Sequence, residues 1–170
     1  RRVLDAARDL TGAKYAALGI LNEDKSGLER FLHSGIDEQT RREIGPLPRG
    51  RGLLGELIRN PRPLRLPDVG AHPRSYGFPP SHPEMRSFLG TPLLVRGEAW
   101  GNLYLTEKEG GAEFDDADEQ LIVVLAAWSA VAIENARLYE STGRRAAELE
   151  KAMRGLEAAA DVARTVSSGI

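Results

Sequence analysis

The chain has 170 residues and three imidazoles, His33, His72 and His82. His82 stands in SYGFPPSHPEMRSFLG, Ser75 to Gly90, close to Pro79, Pro80 and Pro83. Each proline presets its own backbone angle, which lowers the entropy of holding a neighbouring ring in one place. Imidazole is the commonest side-chain metal ligand and titrates near neutral pH. A stiffened imidazole with apolar neighbours at Phe78, Met85 and Phe88 is therefore a candidate ligand; a solvated loop histidine is the plain alternative. His72 in GAHPRS has fewer apolar neighbours, and His33 in RFLHSG sits on a strand. The second chemical group is a phenol, Tyr104 in AWGNLYLTEK, a hydrogen-bond donor on an alternating stretch.

Composition narrows the chemistry further. There is no cysteine, which excludes a thiol nucleophile, disulfides, cysteine-ligated metal centres and thioether attachment of a prosthetic group. The net charge is −2, and basic residues form no stripe interleaved with aromatics, so no nucleic-acid partner is expected. No uninterrupted apolar run reaches the roughly 18 residues needed to cross a bilayer, so no membrane association is expected and a cytoplasmic location fits. Neither a glycine loop with lysine for phosphates nor a Ser/His/Asp set can be assembled, so the expectation is a regulatory domain rather than an enzyme. Because no histidine follows His82, the final helix holds no histidine phosphoacceptor, and any kinase activity belongs to regions outside this stretch. The chain starts and stops in helical pattern, as a module of a longer protein would.

The elements that must position these groups follow from periodicity. Val3, Leu4, Ala7 and Leu10 have helical spacing. KYAALGILN and LERFLHSG read as a hairpin about the EDKSG turn. Asp37 caps a short helix, LLGELIRN forms another, and PLRL is a short strand. A Pro/Gly loop of about Pro67 to Pro83 follows, and loops of this length inside a compact domain are usually functional or disordered. GTPLLVR and AWGNLYLTEK are two more strands. Asp115 then caps a long helix, with Leu121, Val124, Leu125, Trp128, Val131 and Ala132 forming a broad apolar face. Beyond Tyr139 the stripe narrows to Ala146, Leu149, Met153, Leu156, Ala160 and Ala163, a heptad seam. Thr142 and Gly143 interrupt it. The expected fold is α+β, an antiparallel sheet with helices on one face and a loop-covered pocket on the other. Residues 1–140 form a sensor domain and residues 141–170 a signalling or dimerising helix.

Alternation along the strands separates two faces. Leu103 and Leu105 point toward helices; Trp100, Asn102, Tyr104 and Thr106 point the other way, a polar and aromatic surface suited to a pocket. On the first strand Ala17 and Gly19 share one side. They either leave volume for a ligand or mark a close backbone approach.

With these residues in view, the chain from about Arg2 to Tyr139 resembles a GAF domain. The segment LPRGRGLLGELIRNPRPLRLPDVGAHPRSYGFPPSHPEMRSFLGTPLLVRGEAWGNLYLTEKEGGAEFDDADEQ is similar to the first GAF domain of actinobacterial dormancy sensor histidine kinases. The family's proximal haem ligand lies in an HP-x-M-R-[ST]-F-L-G stretch, which here falls on His82. Its distal tyrosine lies in an LYLT-[DE]-K strand and falls on Tyr104. The resemblance implies a non-covalent haem b with His82 as the metal ligand, lined by Phe31, Phe78, Met85 and Phe88. It implies sensing of oxygen, nitric oxide or carbon monoxide, or of redox state. The signal would pass through the last helix to downstream GAF and kinase domains of the same chain, in a homodimer joined by terminal helices. An access-controlling position that is acidic or glycine among relatives falls on Gly19, once a one-residue difference in the first hairpin is absorbed. Glu84 and Trp100 depart from the pattern and bear on haem affinity.

Two other binding readings compete. GAF domains that bind cyclic nucleotides carry an Asn-Lys…Phe…Asp-Glu signature, matched in part by Lys108, Phe114, Asp118 and Glu119 with Glu107 in place of the asparagine. The same residues also read as a helix cap with acids near the positive end of the helix dipole. The remaining reading is a ligand-free dimerisation spacer. Bilin binding would ordinarily use a cysteine.

Overall fold

A computed structural model describes residues 2–44, 52–75 and 82–168, with side-chain environments through 157. Helix α1 (Arg2–Thr11) buries Leu4 and Ala7 and ends on Gly12, whose φ of 69° is the left-handed cap that glycine adopts without strain. Strands β1 (Ala13–Leu21) and β2 (Leu28–Ser34) form the first hairpin. Short helices α2 (Glu38–Ile44) and α3 (Gly52–Arg59) follow, then β3 (Leu64–Leu66). Strands β4 (Phe88–Val95) and β5 (Glu98–Lys108) lead into α4 (Asp116–Ser168).

The strands form one five-stranded sheet in the order β2-β1-β5-β4-β3, with every pairing antiparallel. The register assigns the faces. Ala17 pairs with both His33 and Tyr104, and Tyr104 pairs with Gly90. Gly19 pairs with Phe31 and Asn102. Partners in an antiparallel pair share a face, so Gly19, Phe31, His33, Asn102, Tyr104 and Gly90 all project to one side. The opposite side holds Leu89, Leu103 and Leu105, each with 0% exposure. Helix α1 lies on that side: Arg8 donates to the Ser34 hydroxyl at 3.0 Å, and the hydroxyl donates to Asp5 at 2.5 Å. The first turn of α4 meets the same side through Arg65, which bonds Asp116 at 2.6 Å.

The second face is covered in part by a helix. Leu53 and Leu57 of α3 form an apolar cluster with Val69 and Phe88, against which Leu64, Leu66 and Tyr104 pack. The apolar i, i+4 pair within LLGELIRN needs a surface to cover, and the alternation of β4 and β5 offers one.

The chain divides into two compact units, Arg1–Val131 and Ala132–Ile170. The first contains the sheet. Its stretch of α4 buries Ile122, Ala126, Ser129 and Ala130 and exposes Val124, Trp128 and Val131, so the helix is packed by a different face from the one expected. The second is helical and exposes Leu138, Tyr139, Leu149, Met153 and Leu156. The helix runs unbroken through Thr142, whose hydroxyl returns to the Leu138 carbonyl at 2.8 Å. Among the described residues, α4 carries the one stretch long and apolar enough by composition to cross a bilayer, with a mean hydropathy of 1.6 and 22% of it buried. Counting only uninterrupted apolar residues passes over that stretch, because isolated charges punctuate it.

Candidate functional site

Tyr104 is the centre of the covered face. Its ring stacks on Phe88 with centroids 5.9 Å apart and planes 24° apart. Strand alternation brings the two together from adjacent strands. Burial among Leu53, Leu57 and Val69 pushes the phenol well above its ordinary pKa, because the phenolate would lose its hydration. Tyr104 is therefore a neutral donor across the physiological range. Among the described residues its hydroxyl makes no hydrogen bond to the protein.

Met85 is buried on the same side, where its sulfur accepts a bond from the Thr106 hydroxyl at 3.0 Å. His82 is half-buried three residues earlier. Its Nδ1 lies 2.9 Å from the Pro83 carbonyl oxygen. A carbonyl can only accept, so Nδ1 carries a proton and is the donor in this contact. The carbonyl of Pro83 thus orients the ring through Nδ1.

The space over the small strand residues is filled. A Cβ on Gly19 would meet Leu28 Cδ2 at 3.0 Å and Asn102 Oδ1 at 3.2 Å. Asn102, 4% exposed, donates to the Leu54 carbonyl at 3.3 Å and so ties β5 to α3. A Cβ on Gly90 would lie 2.7 Å from both Leu57 Cδ1 and Phe88 Cζ. Small residues on this face make room for side chains from α3, β2 and β5. Phe31, half-buried, lies beside Gly19 on the edge strand. Phe78 lies outside the described residues. The competing histidines are also placed: His72 Nδ1 accepts from the Arg74 amide at 3.2 Å, and His33 shares the face of Tyr104 with Ala17 between them. Leu53, Leu57 and Val69 were not anticipated at the site. The spacing of the two leucines was visible in the sequence, but their destination was not.

At the far end of β5, Lys108 bonds Asp118 and lies 5.7 Å from the centroid of the Phe114 ring. Asp118 also accepts from the Asp115 amide at 2.9 Å, and Asp115 accepts from the Asp118 amide at 3.0 Å. This reciprocal capping box starts α4. The Asp118 amide, helped by Lys108, holds the Asp115 carboxyl below its usual range. The residues that partly match a nucleotide signature are thus occupied as a helix cap, with Phe114 buried beneath the cation.

An antiparallel sheet backed by α1 and the first turn of α4, with α3 on its other side, defines an α+β class of sensor and regulatory domain. The GAF domain family profile matches residues 1–133, and the chain belongs to that family. Solved structures agree on the fold. A GAF domain from a phosphoenolpyruvate-protein phosphotransferase of Coxiella burnetii is 24% identical, covers 82% of each chain and superposes with a TM-score of 0.69. A methyl-accepting chemotaxis protein fragment is 20% identical, covering 82% of this chain and 88% of that one, with a TM-score of 0.68. A free methionine-R-sulfoxide reductase from Neisseria meningitidis is 21% identical, covering 81% and 77%, with a TM-score of 0.63. GAF domains of this kind serve sensing and regulation in signalling proteins.

Proposed function

We propose that this GAF domain is a haem-based sensor of a diatomic gas or of redox state, and that it regulates a downstream histidine kinase rather than catalysing a reaction itself. The observation that supports the reading is the contact of His82 Nδ1 with the Pro83 carbonyl oxygen at 2.9 Å, which fixes the orientation of a half-buried imidazole of the kind that would hold a haem iron. The lining is chemically suited to a porphyrin: Met85, Phe88, Leu53, Leu57 and Val69 are apolar, and Tyr104 adds one neutral donor. His82 would hold the group, with Phe31 and Phe78 as further lining. Bound haem b would supply an iron that takes up oxygen, nitric oxide or carbon monoxide or changes oxidation state. Tyr104 would then discriminate by donating to a polar ligand and little to carbon monoxide. The α3 leucines contact the sheet directly, so a planar macrocycle must part them from Tyr104.

That close packing favours a second reading, a ligand-free spacer that joins two copies through the terminal helices. An absorption spectrum separates the two. After reconstitution with haem and reduction, the chain is expected to show a Soret band that shifts with carbon monoxide, and His82→Ala is expected to lose stoichiometric haem. A reconstituted chain without the band leaves the spacer reading; a His82→Ala variant with an unchanged spectrum removes His82 as the ligand.

A further inference from the structure

The backbone that follows His82 is tied to the end of β5 more tightly than strand pairing requires. The Glu107 amide donates to the Ser87 carbonyl at 2.9 Å, and the Lys108 amide donates to the Ser87 hydroxyl at 2.9 Å. The Arg86 amide donates to the Glu107 carboxylate at 2.8 Å. The Thr106 hydroxyl holds Met85. Three consecutive residues of one segment are thus held by three consecutive residues of the other.

Glu107 makes these contacts from a φ of 60°, the left-handed region that glycine or asparagine occupies more readily. Strain of that kind persists where surrounding contacts impose it. Here the carboxylate takes up an amide that otherwise has no strand partner, which is a use a glycine could not serve.

The next residue leads to α4. Lys108 bonds Asp118, which is 7% exposed and sits in the reciprocal cap of the helix. The other end of the long loop reaches the same turn. Arg65 on β3 bonds Asp116 at 2.6 Å and lies 3.9 Å from Glu119, and the loop base closes through the Val69 amide on the Arg86 carbonyl at 2.8 Å. Both stems of the loop therefore end on the first turn of α4.

We infer that Glu107 is a positioning residue: it clamps the segment after His82 to β5 and, through Lys108 and Asp118, couples that segment to the start of α4. Its role in signalling rests on the sensor reading above, but the coupling itself needs no ligand. Coupling is reciprocal, so loosening either end must loosen the other.

Residue-resolved hydrogen exchange on the 170-residue chain tests this. Glu107→Gly keeps the backbone angle without strain and removes the acceptor. Exchange at Arg86 is expected to rise roughly fivefold to tenfold, the loss of about one hydrogen bond, with a parallel rise at Asp115, Asp118 and Glu119. Glu107→Gln keeps an oxygen acceptor and is expected to stay near wild type at both places. Asp118→Asn, which weakens the tie to Lys108, is expected to speed exchange at Arg86 in return. Amides in β1 are the control for global unfolding and should not change. The coupling is refuted if Glu107→Gly loosens Arg86 alone, or if Asp118→Asn loosens the helix alone. The clamp itself is refuted if Glu107→Gly leaves Arg86 at the wild-type rate. These results hold whether or not the chain takes up haem.

Discussion

Replacing Tyr104 with phenylalanine separates the stability of the site from its chemistry. Among the described residues the hydroxyl makes no hydrogen bond, so its removal forfeits no partner among them. The stack on Phe88, of a kind worth about 0.5–1.5 kcal/mol beyond burial, keeps its 5.9 Å geometry. The expected change in unfolding free energy near neutral pH is under about 1 kcal/mol. With a urea slope on the order of 2 kcal/mol per molar, the midpoint should move by less than about 0.5 M. Alkaline pH gives a sharper contrast. The folded phenol has a raised pKa because it is buried. The unfolded phenol releases its proton near the ordinary value of about 10, while the folded one retains it. Its contribution is fully present below that value and declines as pH rises toward the folded pKa, by up to about 1.4 kcal/mol per unit. Tyr104→Phe removes this component, so wild type should lose stability faster than the variant above pH of about 10. Urea titrations at neutral and alkaline pH check both arms. A midpoint lowered by more than about 1 M at neutral pH would show that the hydroxyl has a structural partner. Parallel alkaline curves would show that the phenol is not held neutral by burial.

Two further outcomes follow from packing. Leu57, 1% exposed, lies over Gly90, and Leu57→Ala should cost about 2–5 kcal/mol in urea unfolding. Gly90→Ala forces a methyl to within 2.7 Å of Leu57 Cδ1 and should cost about 1–3 kcal/mol; the double variant should be more stable than the sum of the singles implies, because alanine at 57 removes one of the clashing atoms. In the second unit, Leu149, Met153 and Leu156 are exposed at heptad spacing. If they are the seam of a dimer, Leu149→Asp should shift sedimentation from a dimer toward the 18.6 kDa monomer; an unchanged mass would remove the seam.

The element pattern was legible in the chain because local rules dominate it. Short apolar runs bounded by turn residues marked β1, β2, β4 and β5, and glycine and proline marked the turns. The Asp115 cap could be read from the acids that follow it, and the reciprocal bonds of Asp115 and Asp118 form it. The alternation of AWGNLYLTEK also assigned Asn102, Tyr104 and Thr106 to one face, as the register has it. What alternation does not carry is what covers that face. Ala17 and Gly19 leave volume in one dimension, and Leu28 and Asn102 fill it from positions chosen by strand pairing and by α3.

The residue types alone thus determined an antiparallel α+β domain, the face on which Tyr104 lies, and the absence of thiol chemistry. Only the tertiary structure decided that α3 packs against that phenol, that the Pro83 carbonyl orients the ring of His82, and that Glu107 joins the segment after His82 to β5. The division has a physical cause. Backbone periodicity and capping depend on neighbours within a few residues, whereas covering a face depends on contacts between residues dozens of positions apart, such as Asn102 and Leu54, whose meeting no local spacing specifies.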